Sequence, residues 1–530
     1  MSSSLRPWLL STALLLGLVL PFAGKPVHID DANFLLLARG ARLDLWRPHA
    51  VPVNWQGSTE RAFDVLSNPP GIGWWLAPVQ ASPEWLMHLW MLPWLLLATW
   101  GAYRLGRRFG GDGAAGVLLI GTAPVALLAA QALTPDLPLL ALTMVGLGGY
   151  LPAVDGSRPR AAAGWALVAG SAVMFRYSGL CLLPLLLLYP LLVRRSWWPA
   201  LAGGVPIALL LLHDLHAYGQ LHLLAMGSFQ ATSTGGWELY RKLVAALAML
   251  GAAGVLPFVA LAGSWRGQLT ALLGLALGIT AAVVSGLSVS ATLWTGACAA
   301  AGAVVLLGHH LAPSRRSEPG ADGRERLFLA AWALGGLAFL LALRFTAARY
   351  WLPFLPAVAL LWLRLRPSRN QLILAVGVQV LVALGLSVDD FAMARVGRDA
   401  AVEVAARSLD AAAGPPGSTL RVFAGHWGWQ HYLEAQGWRS LEDEERLPPG
   451  ALLAVADSPW PQEPADGSCL ELLWERSFED RFPGPRVHTA AGFANLHASV
   501  VAGQPPVPTY APWTLASDPR DHVALYRICD

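Results

Sequence analysis

His28-Ile29-Asp30-Asp31 is a short polar segment between the first apolar stretch of the chain and a long amphipathic stretch. A carboxylate that loses water inside a bilayer without gaining a partner costs on the order of several kcal/mol. The acidic pair is therefore expected to face a water-filled cavity at the membrane surface. The apolar remainder of the chain is expected to be built around that cavity.

The composition is that of a protein with many membrane crossings. Of the 530 residues, 55% are hydrophobic and 13% are charged, and the mean hydropathy is +0.47. These values exclude a soluble enzyme with a single anchor. The formal net charge is only +3, so there is no bulk basic excess and nucleic acid is not expected as a partner.

Apolar runs separated by polar residues predict an α-helical polytopic fold with about 13 transmembrane helices. The first run could be mistaken for a signal peptide, but no small-residue cleavage site follows it, so we expect it to remain a membrane helix. The predicted spans are 7–24, 85–103, 113–131, 137–152, 161–175, 178–193, 199–216, 241–262, 268–286, 290–310, 326–344, 350–363 and 371–388.

The arginines predict the orientation. If the N-terminus is cytoplasmic, the arginine clusters between spans fall on the cytoplasmic side, as the positive-inside rule requires. The acidic pair and everything after Asp390 then lie outside the cytoplasm. We thus expect a multi-pass protein of the cytoplasmic (inner) membrane, with a transmembrane domain over 1–388 and a soluble periplasmic domain over 389–530.

Both outer regions have predictable local structure. In the outer loop 25–84, apolar residues at helical spacing from Phe34 to Leu45 predict a helix in the plane of the interface. The tail reads as a small α/β domain, and Cys469 and Cys529 within it could form a disulfide if it is outside the cytoplasm. Further predicted elements are an interfacial helix at 68–79, helices at 399–413 and 429–436, and strands at 420–424 and 451–456.

Four short motifs lie in order on the predicted outer face. They are Asp30-Asp31, Asn68-Pro69-Pro70 before Trp74-Trp75-Leu76, Thr134-Pro135-Asp136, and Arg349-Tyr350-Trp351-Leu352-Pro353 with Pro356. In these motifs the chain resembles the polytopic glycosyltransferases of the GT-C type, a group that includes the protein O-mannosyltransferases and the aminoarabinose transferases that modify lipid A. Gly425-His426-Trp427-Gly428-Trp429-Gln430 in the tail also looks like a segment of bacterial members.

The resemblance implies an enzyme that moves a hexosyl or pentosyl group, with inversion, from a polyprenyl-phosphate donor to a cell-envelope acceptor on the outer face. The implied partners are that donor, membrane lipids and an acceptor that is a lipid, a glycan or a protein. The chain departs from the family pattern by Asp31 in place of Glu, Asn68 in place of His, and Arg176 in place of Lys. These departures concern the acceptor more than the reaction.

Sugar transfer to a hydroxyl needs a base for the nucleophile and positive charge for the departing phosphate. Asp30 is the predicted base and Asp31 its partner, since adjacent carboxylates raise each other's proton affinity. Asp136 is the second catalytic candidate. Both carboxylates could instead have a structural role at the start of a helix. Asp30 could cap the helix that begins near Ala32. Thr134 could cap another helix, in whose first turn the carboxylate of Asp136 would be stabilised by the helix dipole.

Arg349 and Arg176 are the predicted donor-phosphate ligands, together with Tyr350, because a guanidinium stays charged when partly desolvated. Either arginine could instead snorkel from the end of a span. Asn68, Pro69 and Pro70 are assigned to a substrate loop by the resemblance. The aromatic tail segment around His426 could touch an acceptor or pack in a core.

No cofactor is predicted. His28 with Asp30 and Asp31 could supply metal ligands, which keeps a divalent ion as the alternative, but no second histidine stands at ligand spacing.

A transporter or lipid flippase is the competing function. Transporters show internal repeats and ionisable residues at the bilayer midplane, whereas here the acidic residues lie at the outer ends of spans. A protein that only binds lipid through a degenerate site is the third possibility.

Overall fold

The computed structural model describes residues 5–55, 57–230, 235–254, 265–311, 321–411, 419–479, 484–489, 492–493, 496–497, 500–501 and 509–529. Helices dominate these residues up to 411, and strands dominate the rest. Helices of the first half are Arg6–Val19, Asp31–Leu43, Ala62–Val65, Gly71–Leu76, Glu84–Trp90, Leu92–Phe109, Gly113–Gly121, Pro124–Ala129, Asp136–Asp155, Pro159–Gly170, Leu182–Leu192, Val205–Tyr218 and His222–Gln230.

The rest of the described chain adds further helices, several of them longer than those of the first half. They are Gly236–Ala253, Trp265–Val284, Val289–Leu311, Ala321–Ala342, Leu355–Arg364, Arg369–Ala411 and Trp427–Glu434. Short 3-10 helices occupy Leu20–Phe22, Pro48–Ala50, Ala77–Val79, Ser171–Met174, Tyr177–Cys181, Trp198–Gly204 and Ala348–Trp351.

The protein is an integral membrane protein. Six of the described helices are long and apolar enough to cross a membrane, namely Asp136–Asp155, Trp198–Tyr218, Trp265–Val284, Val289–Leu307, Gly323–Ala342 and Arg369–Asp410. Shorter apolar helices cover Arg6–Phe22, Tyr177–Leu192 and Leu355–Arg364. The count of 13 continuous spans is therefore not confirmed. One reason is visible at 113–131, where Pro124, which has no N–H to donate, separates two helices.

The last predicted span and the first predicted helix of the tail are one element. The separate helices expected at 371–388 and 399–413 form a single helix, Arg369–Ala411, called the long helix below. No proline interrupts it, and its acidic pair, Asp389 and Asp390, bonds to partners from other segments instead of ending it. The long helix thus continues across the expected domain boundary at 388–389.

The tail contains a mixed five-stranded sheet, in the order Arg439–Ser440, Arg421–Ala424, Leu452–Ala456, Asp521–Ile528 and Leu470–Phe478. The first three strands are parallel and the last two pair antiparallel. The long helix covers one face, because Ala400, Ala401 and Val404 join the buried cluster beneath the sheet. Cys469 and Cys529, whose Cα atoms are 5.2 Å apart, form a disulfide at one end of the sheet.

Smaller strand pairs complete the fold. Pro52–Asn54 pairs with Thr59–Arg61 in the first outer loop. Gly484–Arg486 pairs with Thr514–Ala516, and His488–Thr489 pairs with Gly492–Phe493. Val500–Val501 of the tail pairs antiparallel with Phe345–Thr346, which directly precedes the Arg349-Tyr350 motif.

Candidate active site

Two ion pairs bring together four of the side chains singled out in the sequence. Arg349 donates from an Nη atom to Oδ2 of Asp30 at 2.5 Å, across 319 residues of chain. Arg176 donates to Oδ1 of Asp136 at 2.6 Å. Four segments that are separated in the sequence therefore contribute to these two contacts.

Tyr350 lies between the two ion pairs. The guanidinium carbon of Arg176 is 5.0 Å from the centre of the Tyr350 ring, and that of Arg349 is 5.8 Å away. An aromatic face attracts cations at these distances. The ring thus holds two positive groups near each other, although like charges repel. Each guanidinium group is also paired with its own carboxylate, Arg349 with Asp30 and Arg176 with Asp136.

The two pairs differ in their access to solvent. The side chains of Asp30 and Arg349 are each 17% exposed, whereas Asp136 is 2% exposed behind Arg176, which is 12% exposed. A substrate can therefore reach Asp30 more readily than Asp136.

Asp30 is aimed at Arg349 by an unusual backbone. It precedes the helix Asp31–Leu43, but its side chain makes no capping hydrogen bond. The alternative in which Asp30 serves as a helix cap is therefore wrong. Ile29, the residue before it, has φ of 45°, a left-handed conformation that a β-branched residue rarely adopts and that costs on the order of 1–3 kcal/mol.

Asp31 points away from Asp30 and is only 1% exposed. Its Oδ1 accepts the backbone N–H of Leu133 at 2.9 Å, and its Oδ2 lies 3.4 Å from the backbone N of His28. Burial raises the pKa of Asp31 to about 6, against the opposing effect of Lys25 and the Leu133 N–H. The two neighbouring carboxylates thus do not form a catalytic pair, and Asp31 instead ties the first outer loop to the segment that leads into Asp136.

Asp136 is the first residue of the helix Asp136–Asp155, and Pro135 stands at its N-cap without a side-chain hydrogen bond. The alternative in which Thr134 caps this helix is therefore wrong by one residue. A carboxylate in the first turn is favoured by the helix dipole. Its direct contact is with Arg176, however, so both effects act on the same side chain.

Arg349 lies on the 3-10 helix Ala348–Trp351, which is held by contacts with two other parts of the chain. The preceding residues pair with Val500–Val501. Trp351, 1% exposed, donates its indole N–H to the carbonyl of Ala246 at 2.8 Å. Because its neighbours are fixed, the guanidinium is positioned by backbone that belongs to three parts of the chain.

Among the described residues, Asn68-Pro69-Pro70 forms no hydrogen bond to the side chains of the two ion pairs. The Asn68 carbonyl accepts from the His49 ring at 2.9 Å. The next residue, Gly71, packs so tightly on Met174 that a Cβ atom would lie 2.3 Å from the Met174 carbonyl oxygen. Since Met174 is two residues before Arg176, the segment supports the backbone of the site.

An apolar groove of about 550 Å³ borders this region. It is lined by Leu45, Trp46, Trp74, Met174, Leu209 and Leu212, with His213 and His216 at one side. No pattern in the sequence identifies this groove, because its walls come from the first outer loop and from a helix more than a hundred residues later.

A cluster that sequence reasoning missed surrounds the acidic pair of the long helix. Asp389 accepts hydrogen bonds from Arg520 at 2.6 Å and Arg486 at 3.1 Å. Asp390 bonds to Lys25 at 2.8 Å and to His497 at 2.7 Å. The acidic doublet is visible in the sequence, but its partners are up to 365 residues away and carry no local signal.

The metal ligand set considered from the sequence does not form. Asp30 is occupied by Arg349 and Asp31 by backbone N–H groups, whereas His28 Nε2 lies 3.3 Å from Asp390 Oδ1. Lys25, which also contacts Asp390, is 1% exposed.

The aromatic tail segment packs against the start of the first outer loop. His426, Trp427 and Trp429 are at most 6% exposed, which favours core packing over contact with an acceptor. A Cβ atom at Gly428 would lie 2.2 Å from the carbonyl oxygen of Val27. The Val27 N–H in turn donates to the hydroxyl of Tyr432 at 2.8 Å. The tail therefore touches the segment that carries Asp30.

Comparisons with known proteins give a limited result. No family profile matches the sequence, and no curated protein matches it. Two solved structures of ArnT from Cupriavidus metallidurans, an aminoarabinose lipid A transferase with a GT-C fold, resemble it at 16% sequence identity.

The apo structure has a TM-score of 0.42 and covers 84% of this chain and 92% of its own. The structure bound to undecaprenyl phosphate has a TM-score of 0.41 and covers 85% of this chain and 93% of its own.

Proposed function

We propose that the protein is a membrane glycosyltransferase that moves a sugar from a polyprenyl-phosphate donor to a cell-envelope acceptor on the outer face of the membrane. The observation that carries the proposal is the pair of arginine–carboxylate contacts on either side of Tyr350. Guanidinium groups bind phosphate oxygens well, and a partly exposed carboxylate can take a proton. The motif resemblance supports the same reaction.

Donor binding would rearrange the site. In the present structure Arg349 and Arg176 are neutralised by Asp30 and Asp136. A donor phosphate that engages Arg349 competes with Asp30 for that guanidinium. Once released from Arg349, the Asp30 carboxylate has its oxygens free to accept the proton of an acceptor hydroxyl.

The transfer step then follows from these positions. The acceptor hydroxyl gives its proton to Asp30 while its oxygen attacks the anomeric carbon of the sugar. The bond from that carbon to the phosphate oxygen breaks, and its electron pair stays on the phosphate. Arg349 and Arg176 stabilise the charge that develops there. Attack opposite the leaving phosphate inverts the anomeric configuration.

Asp136 has a positioning role in this scheme. It is 2% exposed and bonded to Arg176, so it holds that guanidinium in place without meeting the acceptor. The segment Asn68-Pro69-Pro70 also has a positioning role. It leads into Gly71, which packs on Met174, and Met174 is two residues before Arg176.

The apolar groove beside Met174 suits the lipid part of the donor. A polyprenyl chain is hydrocarbon and gains free energy when it leaves water for an apolar surface. Its headgroup end would then lie near Arg176, two residues along the chain from Met174. The same groove could not select one sugar over another.

We propose the topology that the arginines indicate: about 13 crossings, a cytoplasmic N-terminus and a periplasmic tail. The shorter helices would cross as broken or paired segments buried among longer ones. A disulfide between Cys469 and Cys529 supports an oxidising location for the tail.

The test uses purified protein, radiolabelled polyprenyl-phosphate sugars and a membrane extract as acceptor source. Wild-type protein should transfer label, and Asp30→Asn should lose transfer by a factor of about 10² to 10⁴ at equal expression. Asp44→Asn, at the other end of the same helix, is the control and should remain active. A fully active Asp30→Asn enzyme would reject Asp30 as the base.

The same assay separates the competing functions. Donor that binds and stays unchanged indicates a lipid-binding protein, and lipid that crosses the bilayer without loss of its sugar indicates a flippase. Mass spectrometry of the labelled product identifies the acceptor.

A further inference from the structure

Three potential metal ligands from distant parts of the chain meet beside the site. His28 comes from the first outer loop, Asp390 from the long helix and His497 from the tail. One ligand atom from each lies within 4.8 Å of the other two. Among the described residues this is the one group of three or more histidine, cysteine or acidic side chains that converge in this way.

The distances suit a single small ion. Asp390 Oδ1 is 3.3 Å from His28 Nε2 and 2.7 Å from His497 Nε2. Ligand bonds to zinc are about 2.0–2.2 Å long, so two ligands of one tetrahedral ion lie roughly 3–3.5 Å apart. Small side-chain movements would bring all three atoms to that spacing.

His28 supplies a second observation. Its side chain is 6% exposed, and its Nε2 lies 3.3 Å from Asp390 Oδ1 in a contact that does not have the geometry of a full hydrogen bond. A buried polar atom without any partner costs about 1–3 kcal/mol, and a poorly formed hydrogen bond recovers only part of this. A metal ion bound by both atoms would replace this weak contact with two ligand bonds.

We propose that His28, Asp390 and His497 bind a divalent metal ion, with zinc as the ion that the donors favour. Two imidazole nitrogens and one carboxylate oxygen are ligands that zinc accepts, whereas calcium and magnesium prefer oxygen alone. Three protein ligands leave a fourth position for water.

Lys25 sets a limit on the affinity. Its ammonium group bonds to Asp390 Oδ2 at 2.8 Å, leaving Oδ1 for the metal. A fixed positive charge on the same carboxylate weakens binding of a cation. We therefore expect that a substitution that removes the positive charge of Lys25 strengthens metal binding. If the metal bound elsewhere in the protein, this substitution would leave its affinity unchanged.

A metal here would join three segments near the catalytic group. His28 is two residues before Asp30, and His497 is three residues before the strand that pairs with Phe345–Thr346. The ion would act as a positioning element for Asp30 and Arg349. It would not touch the donor or the acceptor.

The test measures metal content directly and does not depend on enzyme activity. Protein purified with a histidine-free tag is stripped with a chelator, equilibrated with zinc chloride, desalted and analysed by mass spectrometry for zinc. Wild-type protein should retain about one zinc per chain. His28→Gln and His497→Gln should each lose it, and His522→Gln, a tail histidine outside the cluster, should keep it.

Two further measurements, of the unfolding temperature and of the zinc affinity, test the same site. Zinc should raise the unfolding temperature of wild-type protein and not that of His28→Gln. Lys25→Met should bind zinc roughly tenfold more tightly, the size of effect that outer-shell partners of a ligand have. Wild-type protein with no more zinc than the double variant His28→Gln/His497→Gln overturns the proposal, as does unchanged zinc content in both single variants.

Discussion

Asp30 and Asp31 show how neighbouring residues of one type take different roles. Asp30 is partly exposed and bonded to an arginine, whereas Asp31 is buried and bonded to backbone. Because successive side chains leave the backbone in different directions, adjacency in the sequence says little about which one faces the cavity. The motif predicts where along the chain a site residue lies, and only the fold distinguishes the surroundings of the two side chains.

Tyr350 offers a test of the shared aromatic face. Tyr350→Leu removes the ring that lies 5.0 Å and 5.8 Å from the two guanidinium carbons. Each cation–π contact contributes about 0.5–2 kcal/mol, so we expect weaker donor binding, seen as a KM for donor raised by roughly tenfold. Tyr350→Phe keeps the ring and is the matched control. Equal KM values for the two variants would show that the ring does not hold the arginines.

A buried carboxyl in the tail should make stability depend on pH. Asp521 is 3% exposed, and burial raises its pKa to about 7, although hydrogen bonds from Ser458 oppose this. In the unfolded chain the value is about 3.9. The folded state therefore holds the proton more tightly. Asp521 favours folding most below about pH 4, and that contribution, on the order of 4 kcal/mol, is lost as pH rises to about 7.

Asp521→Asn should flatten this part of the stability profile. The amide oxygen can still accept the Ser458 N–H, which bonds at 2.9 Å in the native protein. The measurement is the unfolding temperature in detergent between about pH 4 and pH 8. Asp466→Asn, at an exposed position of the tail that is not among the groups acting on Asp521, should leave the profile as in wild type. A profile for Asp521→Asn that parallels wild type would contradict the prediction.

At the scale of elements, the short helix Trp427–Glu434 docks on the first outer loop through a glycine. Gly428→Ala would place a Cβ atom 2.2 Å from the backbone carbonyl oxygen of Val27. Overpacking against backbone costs about 1–3 kcal/mol. We expect a lower unfolding temperature and, because Val27 is three residues before Asp30, reduced transfer.

Gly397 of the long helix is the control for this substitution. A Cβ atom there would lie 3.5 Å from the nearest backbone nitrogen, an ordinary contact. Alanine is favoured over glycine inside a helix by up to about 1 kcal/mol. Gly397→Ala should therefore leave stability unchanged or raise it, and a loss equal to that of Gly428→Ala would show that the docking contact is not responsible.

The elements that the sequence predicted best have strong local signals. Both predicted strands of the tail appear, as Arg421–Ala424 and Leu452–Ala456, and the predicted helix at 429–436 appears as Trp427–Glu434. The uninterrupted long helix was missed because Asp389-Asp390 looks like the polar end of a span. Its neutralising partners, Lys25, Arg486 and Arg520, are distant in sequence, and no periodicity reports them.

The candidate site was likewise only partly predictable. Its residue types and their common face follow from motifs and the arginine distribution. Which carboxylate meets which guanidinium depends on packing over 319 residues for Asp30 and Arg349. The cluster around Asp390 needed the whole fold, because its members are ordinary polar residues when taken singly.

For the whole molecule, the prediction to test is that the tail after Asp390 lies outside the cytoplasm. In protein isolated without reductant, Cys469 and Cys529 should resist maleimide, since they are joined in a disulfide. They should react after reduction and denaturation. Cys181 and Cys298 are the free cysteines within the chain, so a Cys181→Ser/Cys298→Ser background gives an unambiguous signal. Labelling of both tail thiols without reductant would argue against a tail outside the cytoplasm.

A reporter at the C-terminus checks the same point independently. Alkaline phosphatase, which is active only after export, should be active when fused after Asp530. Fused in the loop that follows Arg108, on the predicted cytoplasmic side, it should be inactive. The reverse pattern would invert the proposed topology.

The pairing of Val500–Val501 with Phe345–Thr346 sets an order of events during biogenesis. The chain emerges from the ribosome N-terminus first, so residues 345–346 are made about 150 residues before the strand that pairs with them. On the proposed topology that strand would also have to cross the membrane before it could steady Arg349. The candidate site would then be assembled only at the end of translocation, and a half-inserted chain would not yet present it.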